Sequence, residues 1–169
     1  MKKDYMEACM NSTRQRIIQV IMINKEATSA EIGEELQDIP RASLYRHIKV
    51  LLDAGIITVV KEEFKRGSVG KTYAIAPQMP YGDTNEEYNS LIQSALMGLQ
   101  GEFHRYFNGE NPDPQRDLLT VGSASLMMSD EEMMEFIKAY GDLIQRYMPN
   151  KPAEGKKVRK VTLVISPNK

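Results

Sequence analysis

Residues 40–53 read PRASLYRHIKVLLD, and what this stretch becomes decides the rest of the chain. Leu44, Ile48, Leu51 and Leu52 recur at the spacing of one face of an α-helix. Arg41, Ser43, Tyr45, Arg46 and Lys49 fall outside that stripe. A helix that buries aliphatics and presents these side chains has the groups that contact phosphates and base edges. Most polar helix faces are only solvated, so the flanking sequence has to separate the two readings.

Upstream, Thr28-Ser29-Ala30-Glu31 is a capping-box pattern. It opens a short helix with Ile32 and Leu36 one turn apart. Gln37-Asp38-Ile39 is a tight link without the usual glycine, and Pro40 suits the first turn of the next helix because its missing N–H would be unpaired there. Two short helices joined in this way form a helix-turn-helix unit. Downstream, Ala54-Gly55 is a helix stop, and Ile56 to Val60 reads as a β-branched strand. Phe64 to Lys71 reads as a basic turn punctuated by glycines, and Thr72 to Ala76 as the returning strand. The sum is a winged helix-turn-helix, with a recognition helix at 40–53 and a basic wing at 64–72.

The segment IPRASLYRHIKVLLDAGIITVVKE (39–62), followed by RGSVGKTYAIAP (66–77), resembles bacterial and archaeal winged-helix transcription regulators of the ArsR type. The resemblance spans Ser12 to Pro77. It implies that the second helix of the unit enters the major groove and that the wing contacts the backbone or the minor groove. On this chain Arg41, Ser43, Tyr45, Arg46 and Lys49 would then read or clamp the groove, and Lys65, Arg66 and Lys71 would hold phosphate near the wing. The expected partner is double-stranded DNA. A winged-helix protein–protein interaction module without DNA binding is the alternative.

Charge distribution favours the first reading. The net charge is −1 over 169 residues, but Pro40 to Tyr73 holds seven basic and three acidic residues, a local surplus of four. The part from Tyr81 onward holds ten basic and thirteen acidic residues. Positive charge thus collects on the elements that would face a polyanion. No apolar run approaches the ~20 residues needed to span a bilayer, and the N-terminal stretch MKKDYMEACMNSTRQR lacks the apolar segment of a signal peptide. A single cysteine leaves no internal disulfide, so a cytoplasmic location is expected.

Ser12-Thr13-Arg14-Gln15 is another capping-box pattern. It opens a helix with Ile17, Ile18, Ile21 and Met22 on one side, expected to pack beneath the other two. Arg14 and Arg16 in its first turns are candidates for phosphate contact or for plain solvation. Met1 to Asn11 reads as a loose arm or an extra helical turn. Pro77 to Asp83 is a linker by composition. Thr84 to Phe107 is then a long helix with a broad apolar stripe. Tyr88, Ile92, Ala95, Leu99, Phe103 and Tyr106 are the expected contacts of a homodimer, because the wing domain already has its own core in Ile17, Ile21, Leu44, Ile48 and Leu51. Leu118 to Met127 and Val158 to Ile165 read as strands flanking a helix from Ser129 to about Tyr147. The expected fold class is α+β: an N-terminal winged helix-turn-helix (1–80), then a dimerisation and effector region (81–169) made of the long helix and a small strand-helix-strand layer.

No catalytic or metal-binding constellation emerges. Cys9, His47 and His104 are widely separated, whereas thiolate and imidazole sites need clustered ligands. Gly70-Lys71-Thr72 lacks the upstream glycine of a phosphate-binding loop, because Lys65 stands in its place. An enzyme is therefore not expected, and no cofactor is implied. Met97, Met127, Met128, Met133, Met134 and Met148 suggest core filling or, alternatively, a plastic pocket for an apolar small-molecule effector.

Overall fold

The computed structural model describes residues 4–65, 68–77 and 84–166. Its elements in chain order are α1 (Asp4–Met10), α2 (Ser12–Asn24), β1 (Glu26–Thr28), α3 (Ser29–Glu35), α4 (Arg41–Asp53), β2 (Ile57–Lys65), β3 (Ser68–Ile75), α5 (Asn85–Phe107) and α6 (Asp130–Tyr147). The fold is α+β, with a winged helix-turn-helix at the N-terminal end.

The aliphatic stripes predicted for α2 and α4 close the core in part: Ile18 and Leu52 are half-buried, Met22 is exposed, and Val20 is buried on α2 where the sequence reading places no core residue. Ile17, Ile21, Leu44, Ile48 and Leu51 are buried together with Ile32, Leu36, Ile56, Ile57 and Tyr73. Thr28 caps α3 with Glu31 in the predicted reciprocal arrangement, and Arg41 begins α4 directly after Pro40, the N-cap. Gly55 takes φ 71° after the last turn of α4, the left-handed conformation that favours glycine.

The sheet has the order β1-β3-β2, antiparallel throughout. Tyr73 stands opposite both Ala27 and Val59, so the central strand carries the buried tyrosine. An extra residue in β2 between Val59 and Lys61 makes a bulge, beyond which the two long strands continue past the core as the wing. The wing is longer than the sequence suggests. Phe64 and Lys71 were expected in a turn, but they lie in paired strands, and Gly70 stands opposite Glu63 within the ladder. Arg66 and Gly67 lie outside the described residues, as do residues 78–83 of the linker predicted from Pro77 to Asp83.

Other expectations change at the N-terminal end. Residues 4–10 form a helix that contributes Tyr5 and Ala8 to the core. Asn11, not Ser12, caps α2 by accepting from the Arg14 amide. Arg14 does not face outward. Its Nε donates to the Ala8 carbonyl at 2.8 Å and its Nη2 to the Glu7 carbonyl at 2.6 Å, satisfying the open carbonyls at the end of α1. Arg16 clasps Asp38 through two bonds of 2.6 and 2.7 Å, tying α2 to the turn that precedes α4.

The larger correction is in the C-terminal half. α5 and α6 form as expected, each with its capping box, Thr84 with Glu87 and Ser129 with Glu132. Residues 118–127 and 158–165 are not strands. They run without ladder partners among the described residues, so the strand-helix-strand layer is absent as a paired sheet. β-branched composition favours an extended backbone, but a strand exists only where a neighbour accepts its hydrogen bonds. The two stretches are instead held by polar ties. Tyr106 Oη donates to Asp117 Oδ2 at 3.0 Å, Arg159 donates to the Asp117 carbonyl, and Lys160 Nζ reaches Glu102 Oε1 at 2.7 Å and the Met10 carbonyl at 2.6 Å.

Candidate nucleic-acid interface

α4 buries Leu44, Ile48 and Leu51 and turns Arg41, Tyr45, Arg46 and Lys49 to the surface, with Ser43 half-buried. Its first turn is chemically open. Pro40 supplies no side-chain cap and the turn contains no acidic residue, so the first N–H groups of the helix have no partner of the kind that Thr28, Thr84 and Ser129 provide elsewhere. These N–H groups carry the positive end of the helix dipole, which favours an anion beside them. Arg41 adds a full positive charge at the same end. Neither Arg41 nor Arg46 makes an ion pair among the described residues, whereas Lys49 pairs with Asp53 at 2.8 Å.

His47 is half-buried. Burial, and then the charges of Arg14 and Arg46, push its pKa below the ordinary histidine value. The imidazole is therefore neutral near pH 7, and the positive charge of the helix rests on its arginines and lysine. Burial also raises the Cys9 thiol above its usual pKa, which disfavours the reactive thiolate.

The wing adds a second surface. Side chains alternate along β3, so Lys71 and Val69 share the face of the buried Tyr73. Their cross-strand partners are Glu62 and Phe64. Lys71 is paired with Glu62 at 3.2 Å. Farther out, Phe64 is 87% exposed and Val69 42%. The inner face of the sheet thus runs from the core through an ion pair to an apolar pair near the tip. Sequence reasoning missed Phe64, because its placement depends on the register set by the bulge. Of the wing cations expected at phosphate, Arg66 lies outside the described residues and Lys65 is described only as backbone.

The expected dimer residues lie along α5. Tyr88 and Ile92 are exposed, while Ala95, Leu99, Phe103 and Tyr106 are half-buried. α5 rests on α1 of its own chain: Leu91 packs against the core, and a Cβ at Gly98 would stand 3.7 Å from Met10 Cβ. Leu96, Met97 and Phe107 are also open. Two shallow grooves among the described residues, one along 111–116 and one bounded by Leu52, Gly55, Ile57 and Pro77, have no methionine in their lining. No cluster of metal-binding side chains occurs among the described residues, and no described helix is long and apolar enough to cross a membrane.

Residues 10–60, from the end of α1 to the bulge in β2, match the family model of a helix-turn-helix domain. The chain carries a helix-turn-helix domain. The match covers α2, α3 and α4 and stops within β2, so α5, α6 and the extended stretches lie outside it. No curated protein matches the chain.

Proposed function

We propose that the protein is a sequence-specific, DNA-binding transcriptional regulator that acts as a homodimer. The recognition helix enters the major groove and the wing rests on the adjoining backbone. The observation that carries this reading is the open start of α4, where N–H groups without a side-chain cap stand beside Arg41, with Arg46 one turn on and neither guanidinium in an ion pair among the described residues. That arrangement suits a phosphate at the helix end and a base edge farther along. Lys49 and Lys71 can exchange exposed carboxylate partners for phosphate at little cost, since such surface pairs contribute about 0–1 kcal/mol. The ArsR-type resemblance of residues 12–77 supports the same assignment, and it makes 1–80 the DNA-binding part and 81–169 the assembly part.

The alternative is a winged-helix module that binds protein. It is favoured by one observation, the exposed Phe64–Val69 pair between the acidic Glu62 and Glu63 and the wing tip. Fluorescence anisotropy with a duplex selected from a random pool separates the two. A DNA regulator gives a selected consensus, and its log affinity falls with log salt at a slope near −0.9 per phosphate contact. Failure to enrich any sequence, with no retained duplex at low salt, would leave the protein-binding module.

A further inference from the structure

The chain exposes 13205 Å² of accessible surface. A folded monomer of 19.2 kDa exposes about 8,400 Å², so roughly 4,800 Å² is in excess. Counting residues 1–3, 66–67, 78–83 and 167–169 as fully extended removes about 2,300 Å² of that excess, and about 2,500 Å² still remains. The excess lies in the C-terminal half. α6 contains no buried residue despite its 18-residue length, and neither does α5. Leu118, Val121, Leu126, Met127, Val158, Val161, Leu163, Val164 and Ile165 are all exposed. Helices of this kind draw most of their stability from packing of the apolar face. Val158, Val161, Thr162, Val164 and Ile165 make the second stretch β-branched, and a stretch of that composition without a ladder partner is a template for another chain.

We propose that the stretches 118–127 and 158–165 pair with the same region of a second copy, so that two chains complete one sheet covered by the apolar faces of α6. This rests on the homodimer of the proposed function and adds a specific intermolecular surface to it. The magnitudes agree. Permanent homodimers bury 2,000 Å² or more in total, about 1,000 Å² or more from each partner, and the excess of about 2,500 Å² on each chain is enough for that. The polar ties leave the arrangement intact. Lys160 is held on Glu102 and the Met10 carbonyl, with side-chain exposures of 15% and 29% for the two charged partners. Lys157 and Arg159 hold Asp117 at the start of the first stretch. The two stretches are therefore fixed near one another at one end. The Leu118 and Leu119 amides are bonded to the Gln115 and Pro114 carbonyls of the same chain, while the backbone groups of 120–127 and 158–165 make no backbone hydrogen bond among the described residues. A second copy is the occupant because the surface is long, apolar and matched in area by its own duplicate, and a twofold axis makes it self-complementary.

Hydrogen exchange on the full chain, measured across a dilution series with sedimentation velocity in parallel, tests this. The expected result is a dimer whose amides at 120–127 and 158–165 are protected at high concentration and lose protection as the dimer dissociates. A dimer with freely exchanging amides in both stretches overturns the proposal and leaves the α5 interface standing. Protection that persists in the monomer also overturns it, because the stretches then pair within their own chain. A monomer at every concentration removes the homodimer itself and this proposal with it. Val161→Asp gives a second readout. Val161 is exposed in the single chain, so the circular dichroism of the diluted protein should be unchanged while the dimer Kd rises at least tenfold. An unchanged Kd overturns the proposal. DNA affinity of each half-site is read separately by anisotropy, so failure of the DNA assignment does not mimic failure of the sheet.

Discussion

Arg41 sits in the first turn of α4, where aligned peptide dipoles disfavour a cation. Arg46, one turn later, has room to reach a base edge. Arg46→Ala should cost about 1–3 kcal/mol on the selected duplex and little on random DNA if Arg46 reads a guanine; equal losses on both, measured by anisotropy, would make it a phosphate contact. Phe64 makes a different kind of contact. A neutral wing side chain that packs on sugar or enters a minor groove adds affinity without releasing counterions. Phe64→Ala should therefore weaken binding while leaving the salt slope unchanged, whereas Arg41→Ala should make the slope shallower by about 0.9. Asp38 carries a stability prediction. Its hydrogen bonds from Arg16, above all, hold its carboxyl below the usual aspartate pKa. The clasp therefore stabilises the fold fully above about pH 4 and loses that contribution as pH falls through the lowered value. Urea midpoints compared between pH 7 and pH 3 should differ less for Asp38→Asn than for the wild type.

At the scale of elements, the helices that begin with a capping box were legible in the sequence. Thr28, Thr84 and Ser129 each accept from the backbone three residues on, where Glu31, Glu87 and Glu132 stand, and short-range chemistry of this kind does not depend on the rest of the fold. The recognition helix was legible from its buried stripe. β1 was not, because three residues show no alternation and become a strand only by lying beside Tyr73. The face that Phe64 takes was not legible either, since the bulge at Val60 resets the phase of β2. Residues 118–127 and 158–165 were misread for the opposite reason: the β-branched composition of 158–165 favours extension, but pairing is a long-range property that composition does not specify, and 118–127 has Gly122-Ser123-Ala124-Ser125 at its centre. α5 offers the cleanest element-level test of assembly. Ile92 is exposed and on the open face, so Ile92→Glu should leave the helix content intact and shift the sedimentation coefficient toward that of a monomer. A dimer of undiminished affinity would take this face of α5 out of the interface.

At the scale of the whole molecule, the half that folds around Ile17, Leu44 and Leu51 closes on itself, and the half that carries α6 does not. Stability that a partner copy completes depends on concentration. The thermal midpoint should rise as the protein is concentrated from micromolar to hundreds of micromolar, by calorimetry; a midpoint independent of concentration would mean that the open half stands alone. The unfilled surface of that half also bears on dosage. Where most chains are single, the number of completed pairs follows the square of the chain concentration. Occupancy of a two-half-site operator then falls to about one quarter when expression is halved. The exposed apolar surface of one chain would in that way convert a graded change in protein supply into a steeper change at the promoter.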